Sequence, residues 1–354
     1  MRPAPANVPV TCHQRPARPS RIVSAAIGAL AVGALAAGCQ TAGAQPASPD
    51  AGTTTITVAA APGIDDAPLY LAVKDGLFQS AGLDVKIRSY QSVGQELQAL
   101  AGGRADVAAG DYVDLFYAEA TQHVNLHVVA DGYHAAPGVM EVLTLPSSGI
   151  TTPQDLEGKT IGTPEPQLIP VQKGGNVPYS VETVAAQSVL DNDGVNPTQL
   201  PQDRQVKWRP MPSGDLINAL ANHQVNAILV QEPYIYQAES RLGAIEVLDA
   251  CSGATASLPL SGYFAMQSFA HKNPDTLEDF RSALQRAQAD AVQPGPVEAV
   301  LAHNSGMPMG TASLVTIGAY PTSLDAASLQ RVAGLMFSFG VLVRTLDVTG
   351  MVGP

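Results

Sequence analysis

Two stretches of this 354-residue chain repeat each other without a gap at an offset of 120 positions. Ser92 to Asp106 aligns on Pro212 to Asn226. Gly94 falls on Gly214, Ala99, Leu100 and Ala101 on Ala219, Leu220 and Ala221, and Asp106 on Asn226. Each copy reads as a Gly-containing loop, a short helix, a polar turn and an apolar strand. Val107 to Gly110 continue the first copy and Ala227 to Val230 the second. Two copies are too few, and the period too long, for a solenoid. The repeat instead predicts two similar α/β lobes facing each other across a cleft.

The chain opens on Arg2, Arg15, Arg18 and Arg21, followed by an uncharged run from Ile22 to Gly38 and then Cys39. A basic region, a short apolar core and small residues at its end describe an export signal. The run is short and rich in Gly and Ala for a permanent membrane span. A Cys directly after the small residues resembles the bacterial lipobox, which implies a lipidated Cys39 as the mature N-terminus. Ala36 stands where that motif usually has Leu, and an ordinary cleaved signal is the alternative. Residues 40–54, rich in Ala, Gly, Ser, Thr and Pro, read as a tether. About 300 residues remain, enough to bury a large core.

Removing the four Arg of residues 1–38 takes the formal charge from −12 to −16. So acidic a body argues against nucleic acid as a partner and against docking on anionic lipid. Cys12 lies in the signal and Cys39 would carry lipid. Cys251 is then the only thiol of the mature body, and no intrachain disulfide forms there.

Thr55 to Ala60 reads as a β-branched strand, followed by a loop over residues 62–68 and a helix from Leu69 to Asp75. A second strand is expected at Leu83 to Tyr90, and others at Leu126 to Ala130, Val139 to Leu145 and Gln205 to Arg209. Helices are expected at Tyr179 to Asp191, Thr276 to Val292 and Leu324 to Val343. In the last, Leu329, Val332, Leu335, Met336 and Phe339 form a core stripe. Alternating β and α units imply parallel sheets covered by helices. Ligands of such sheets sit beyond the carboxyl ends of the strands. The candidate site is therefore a set of loops at 62–68, 91–94, 110–112, 163–180, 211–214 and 231–234.

Several motifs occur in a familiar order. Ala67 to Ala72, Gly76 to Phe78 and Gly82 to Val85 come first, then Ala99 and Leu100 with Gly103 and Asp106. Asp155 to Gly162, Glu232 to Tyr234, Asn273 to Thr276, Arg331 to Met336, and Phe339 with Gly340 follow. Over residues 55–348 the chain resembles bacterial ABC-importer solute-binding proteins of the nitrate, sulfonate, taurine and thiamine-pyrimidine type. The resemblance implies an α/β, two-lobed, type II periplasmic-binding-protein fold with the ligand cleft between the lobes. One lobe would hold residues 55–145 plus 264–354 and the other 146–263. Asn226 departs from the Asp usual in that family, and the 163–178 segment is longer than usual.

Helix N-termini offer unpaired backbone N–H groups to an anionic or polar head group. Ser92 with Gly94, and Tyr179 with Ser180, stand at such positions, although both Ser also suit as plain helix caps. Asp65 and Asp66, just before Ala67, would accept from a cationic or amine-bearing ligand, or remain solvated turn acids. Asp111 with Tyr112, and Glu232 with Tyr234, end the two repeat copies; the two Tyr are expected to sandwich a flat ligand body. Glu232 equally suits a structural cap.

Gly158 to Thr160 looks like the end of a P-loop, but Pro153 occupies the required Gly position. No metal cluster, cofactor motif or nucleophile–base constellation is visible. The expected function is therefore that of a lipid-anchored, non-enzymatic, monomeric solute-binding protein. Its partners would be a small organic molecule (a sulfonate, nitrate or an aminopyrimidine), an ABC permease and its ATPase. An enzyme that makes the thiamine pyrimidine is the rival, and the Cys-rich iron motif of such relatives is missing here. A surface sensor without transport is the third reading.

Overall fold

The computed structural model describes residues 53–90, 92–169, 178–195 and 200–352. Cys39, the export signal and most of the tether lie outside the described residues, as do positions 91 and 170–177 of the candidate loops. The strands are β1 (Thr54–Ala59), β2 (Leu83–Arg88), β3 (Val107–Asp111), β4 (Leu126–His134), β5 (Met140–Thr144), β6 (Thr160–Pro164), β7 (Lys207–Met211), β8 (Ala227–Gln231), β9 (Ile245–Asp249) and β10 (Pro259–Met266). The helices are α1 (Ala67–Lys74), α2 (Leu77–Ser80), α3 (Val93–Ala101), α4 (Tyr112–Gln122), α5 (Val181–Asn192), α6 (Ser213–Ala221), α7 (Tyr234–Leu242), α8 (Gln267–Lys272), α9 (Pro274–Asp290), α10 (Pro294–Asn304), α11 (Met309–Ala312) and α12 (Ala326–Ser338).

Two five-stranded sheets form, ordered β2-β1-β3-β10-β4 and β7-β6-β8-β5-β9. In each, three parallel strands are followed by one that runs antiparallel to the third. The sequence repeat is the centre of this likeness. α3 and α6 start and end 120 positions apart, and so do β3 and β8.

The chemistry repeats as well. Asp106 donates its backbone N–H to Thr57 O at 2.8 Å, and its Oδ2 accepts from Thr57 N at 2.8 Å. Asn226 donates to Thr160 O at 2.8 Å, and its Oδ1 accepts from Thr160 N at 2.9 Å. The task needs one side-chain oxygen and no charge, so the departure from Asp at 226 costs the fold nothing. At the turn before each strand, Gly103 and His223 both take positive φ, 64° and 54°. The first uses the residue that tolerates this region freely, while the second holds a side chain there at some strain.

The sheets correct the expected lobe limits. β5 belongs to the second sheet and β10 to the first. The chain therefore crosses between lobes at 135–139 and 250–258, rather than after 145 and after 263. The turn pairs Pro137 with Gly138, and Ser252 with Gly253, stand at these observed crossings.

One large buried cluster runs from the first sheet through α5 into the second sheet. A smaller one lies between β8, α6 and α7. Leu329, Val332 and Met336 of α12 are fully buried, as their spacing required, and Leu335 and Phe339 are half-buried at its edge.

Candidate functional site

The carboxyl ends of β1, β3, β6 and β8 bring loops from both lobes together. Hydrogen bonds cross between them at three places. Leu168 N, on the segment after β6, donates to Asp114 Oδ1 of α4 at 3.2 Å. Tyr179 Oη, just before α5, donates to Phe339 O after α12 at 2.6 Å. Thr316 N, before α12, donates to Glu232 Oε1 after β8 at 3.0 Å. Beside the last of these is a cavity of about 570 Å³. Its wall includes Ile64 and Asp65 from one lobe, Glu232 and Tyr236 from the other, and Met307 and Thr311 from the return to the first.

The expected site residues divide into two groups. Ser92 caps α3, accepting from Gln95 N at 3.4 Å. Ser180 caps α5 through a reciprocal box with Thr183. Gly94 lies under Leu168, whose Cδ2 is 3.6 Å from where a Cβ would stand. Ala67 is 1% exposed and packs in the core. Glu232 accepts from both Thr316 N and Tyr236 N and ties α7 to the other lobe.

Neither Tyr of the expected sandwich is placed for it. Tyr112 is 0% exposed, and its ring packs on Phe116 and Phe264 with centroids 5.3 and 5.4 Å away. Its slot exists because position 262 is Gly: a Cβ there would overlap the Tyr112 hydroxyl. That hydroxyl donates to buried Asp131 at 2.8 Å. As the first residue of α4, Tyr112 turns into the first lobe while its cap, Asp111, stays at the strand end. Tyr234 packs against the cluster under α6 and α7, and Tyr236, two residues on, lines the cavity.

The carboxylates do converge. Asp65 hydrogen-bonds Ser261, and burial raises its pKa to about 6, with Glu182 of α5 raising it further. Asp66 is pushed well above the carboxylate range, by burial and then by Asp65. Burial, followed by Asp114, does the same to Asp111. Asp114 itself rises to about 6 through burial. Glu96 of α3, near Asp66, is lifted by burial to about 7. Glu182, held by Gln231 Nε2 at 2.8 Å, faces Asp65, Asp111 and Asp114 from the second lobe.

Among the described residues, none of the charged neighbours that shift these acids is basic. The ion pairs formed by the described residues all lie elsewhere. A unit charge 4 Å from one such carboxylate feels ~4 kcal/mol at an effective dielectric of 20, attraction for a cation and repulsion for an anion. Among the described residues no group of three or more His, Cys, Asp or Glu is placed to hold a metal ion.

Sequence reasoning did not reach Glu96, Asp114, Glu182, Tyr236 and Ser261. The helical acids read as exposed-face or first-turn residues, and only the contact between lobes turns them into one cluster.

With this geometry in place, the sequence match has its context: residues 64–299 fit the model of NMT1/THI5-like proteins. The chain belongs to the NMT1/THI5-like family. Among curated proteins, none matches the sequence. Solved structures similar to this chain include the periplasmic aliphatic sulphonate binding protein SsuA from Escherichia coli. That likeness has a TM-score of 0.67 at 17% identity, over 84% of this chain and 97% of that one. The periplasmic nitrate-binding protein NrtA from Synechocystis PCC 6803 matches with a TM-score of 0.62 at 13% identity, covering 83% of this chain and 84% of that one. The desulfurization enzyme DSZB matches at 0.61 and 16%, over 85% and 96%. At such identities the likeness establishes the two-lobed periplasmic-binding-protein fold, which serves anion binders and an enzyme alike. Among the described residues no helix is long and apolar enough to cross a membrane.

Proposed function

We propose that this NMT1/THI5-like protein is an extracytoplasmic solute-binding protein. It would capture a small organic molecule between its lobes and deliver it to an ABC permease and ATPase. The observation that carries this reading is the cavity between the two lobes, walled by loops from both and joined by only two crossings of the chain. A ligand that touches both walls favours the closed arrangement by its difference in affinity for the two states.

An enzyme working through a nucleophilic thiol would need an activated cysteine. Cys251 is 1% exposed, and burial pushes its thiol up to about 12, the opposite of what a reactive thiolate requires. His134 Nε2 is bound to Asp131 at 2.8 Å in a network that ends on Tyr112, away from the cavity. These placements favour binding over catalysis.

The sulfonates, nitrate and aminopyrimidines suggested by the resemblance belong in the first ligand panel, together with carboxylates and amines. Thermal unfolding of residues 53–354 is expected to respond to one chemical class only. At 100 times its dissociation constant, a ligand adds ~2.7 kcal/mol, a shift of several degrees. No shift with any class would leave the fold standing without the binding role.

The lipid anchor is the second part of the proposal, supported by Cys39 after its small-residue run. In the full chain, Cys39→Ser is expected to abolish labelling by a fatty-acid analogue and to move the protein from membrane to soluble fractions. An unlabelled wild type would reduce the segment to an ordinary export signal.

A further inference from the structure

The solute-binding reading leaves open what kind of molecule fills the cavity, and the cavity's wall bears on it. Among the described residues, the charged side chains on that wall are Asp65 and Glu232. Both are engaged by the protein itself. Glu232 commits its two carboxylate oxygens to backbone, accepting from Thr316 N at 3.0 Å and from Tyr236 N at 3.1 Å. Asp65 hydrogen-bonds Ser261. Ser305, also on the wall, donates its Oγ hydrogen to Pro62 O at 3.2 Å. These bonds brace the cavity.

The rest of the wall is mainly apolar. Ile64, Leu301 and Met307 come from the first lobe, and Pro233 and Tyr236 from the second. Gln237 and Thr311 add polar groups without charge. At about 570 Å³ the space is in the range that holds a drug-sized molecule. Thr316 N and Glu232 Oε1 join the lobes beside it, so this is the volume with the lobes in contact. A nitrate or ethanesulfonate ion would leave most of it unfilled. Wall atoms that face empty space forgo their dispersion contacts.

We propose, building on the solute-binding reading, that the ligand is recognised through an uncharged hydrocarbon body, hexyl-sized or larger. The body lies between Ile64 and Met307 on one side and Tyr236 on the other. It therefore touches both lobes and draws them together. Size and apolar surface, more than the charge of the head group, decide what is captured.

The turn from α10 to α11 sets the fit. Leu301 lies in α10, Met307 on the turn and Thr311 in α11. A Met side chain is unbranched and fills irregular gaps, so the wall at 307 accepts bodies of differing outline. Met307 is only half-buried, packed at the edge of the large cluster, and its replacement leaves the core closed. Each methylene placed against this wall should raise affinity about fourfold, whichever head group carries it.

The test is titration calorimetry with the ethyl, butyl and hexyl members of the alcohol, amine and sulfonate series, beside nitrate. Wild type, Met307→Gln and Tyr236→Ser are compared, each checked by thermal unfolding. In at least one series the hexyl member is expected to bind about a hundredfold more tightly than the ethyl member, its four extra methylenes counting about fourfold each. Either variant should weaken the hexyl compound about fivefold or more while its thermal stability holds. Nitrate should stay silent. Equal affinity along every series, or nitrate binding without the hexyl compounds, overturns the apolar body while leaving the protein a binder. Silence from the alkyl compounds at ~10 mM, with a hit in the thermal panel, does the same. Silence in both overturns the apolar body and the binding role together. Hexyl binding that both variants retain in full overturns its placement in this cavity.

Discussion

Asp131→Ala is expected to lower the stability of residues 53–354 by about 3–5 kcal/mol, the largest single-site loss anticipated in this chain. Asp131 is 3% exposed, and its carboxylate is shared three ways. It accepts from Tyr112 Oη at 2.8 Å and from Gly132 N at 3.0 Å, and it pairs with His134 Nε2 at 2.8 Å. Truncation to Ala leaves a phenol, a backbone N–H and an imidazole without their acceptor inside the first lobe. An abandoned buried donor costs about 1–3 kcal/mol each, more when charge is involved.

Tyr112→Phe removes one donor, leaves the ring packing on Phe116 and Phe264 in place, and should cost only about 1 kcal/mol. Denaturant unfolding of the two variants beside wild type gives the comparison. Equal and small losses would mean that water already serves the network. A large loss only for Asp131→Ala would establish the carboxylate as its centre. His134 ends β4, immediately before the first crossing, so the same network anchors the first-lobe end of that crossing.

The contrast between this network and the cleft acids marks what the sequence made legible. The duplicated helix and strand were readable because each residue's role there is local. A Gly or other positive-φ residue at the turn, an apolar helix face and an oxygen at 106 and 226 are all set by neighbours within one βαβ unit. Tyr112 was misplaced because position alone puts it at a strand end. The direction of its side chain depends on Gly262, 150 residues later, which leaves room for the hydroxyl beside Asp131. Likewise Asp114 and Glu182 look like ordinary first-turn acids of α4 and α5, and they suit the helix dipole there. Only lobe contact sets Glu182 against Asp65 and Asp111. Ser92 and Ser180 show the reverse case, where a capping reading sufficed. Their hydroxyls accept from the N–H three residues on.

Asp111→Asn should separate function from stability at the cleft. Asp111 caps α4 by accepting from Asp114 N at 2.7 Å, and Asn serves as a cap about equally well. The substitution therefore keeps the helix start and removes one charge that burial, Asp114 and Glu182 all disfavour. In the wild type, burial holds Asp65 and Asp114 at about 6 and Glu96 at about 7 in the folded chain, above their ordinary values of 3.8 and 4.5. Folded protein thus binds more protons than unfolded protein between about pH 4 and 7, and these groups make stability fall as pH rises through that window. At about pH 8, Asp111→Asn is expected to be more stable than wild type by about 1 kcal/mol, the scale typical of relieving strain at a functional site. At about pH 2.5, where Asp111 is protonated in both states, the two proteins should melt together. Affinity for the ligand found in the thermal panel should move the other way and weaken at least tenfold at about pH 8. A variant that is both stabler and a weaker binder identifies Asp111 as a charge kept for the ligand. If it is less stable at every pH, with binding intact, Asp111 is a structural cap whose charge the fold tolerates.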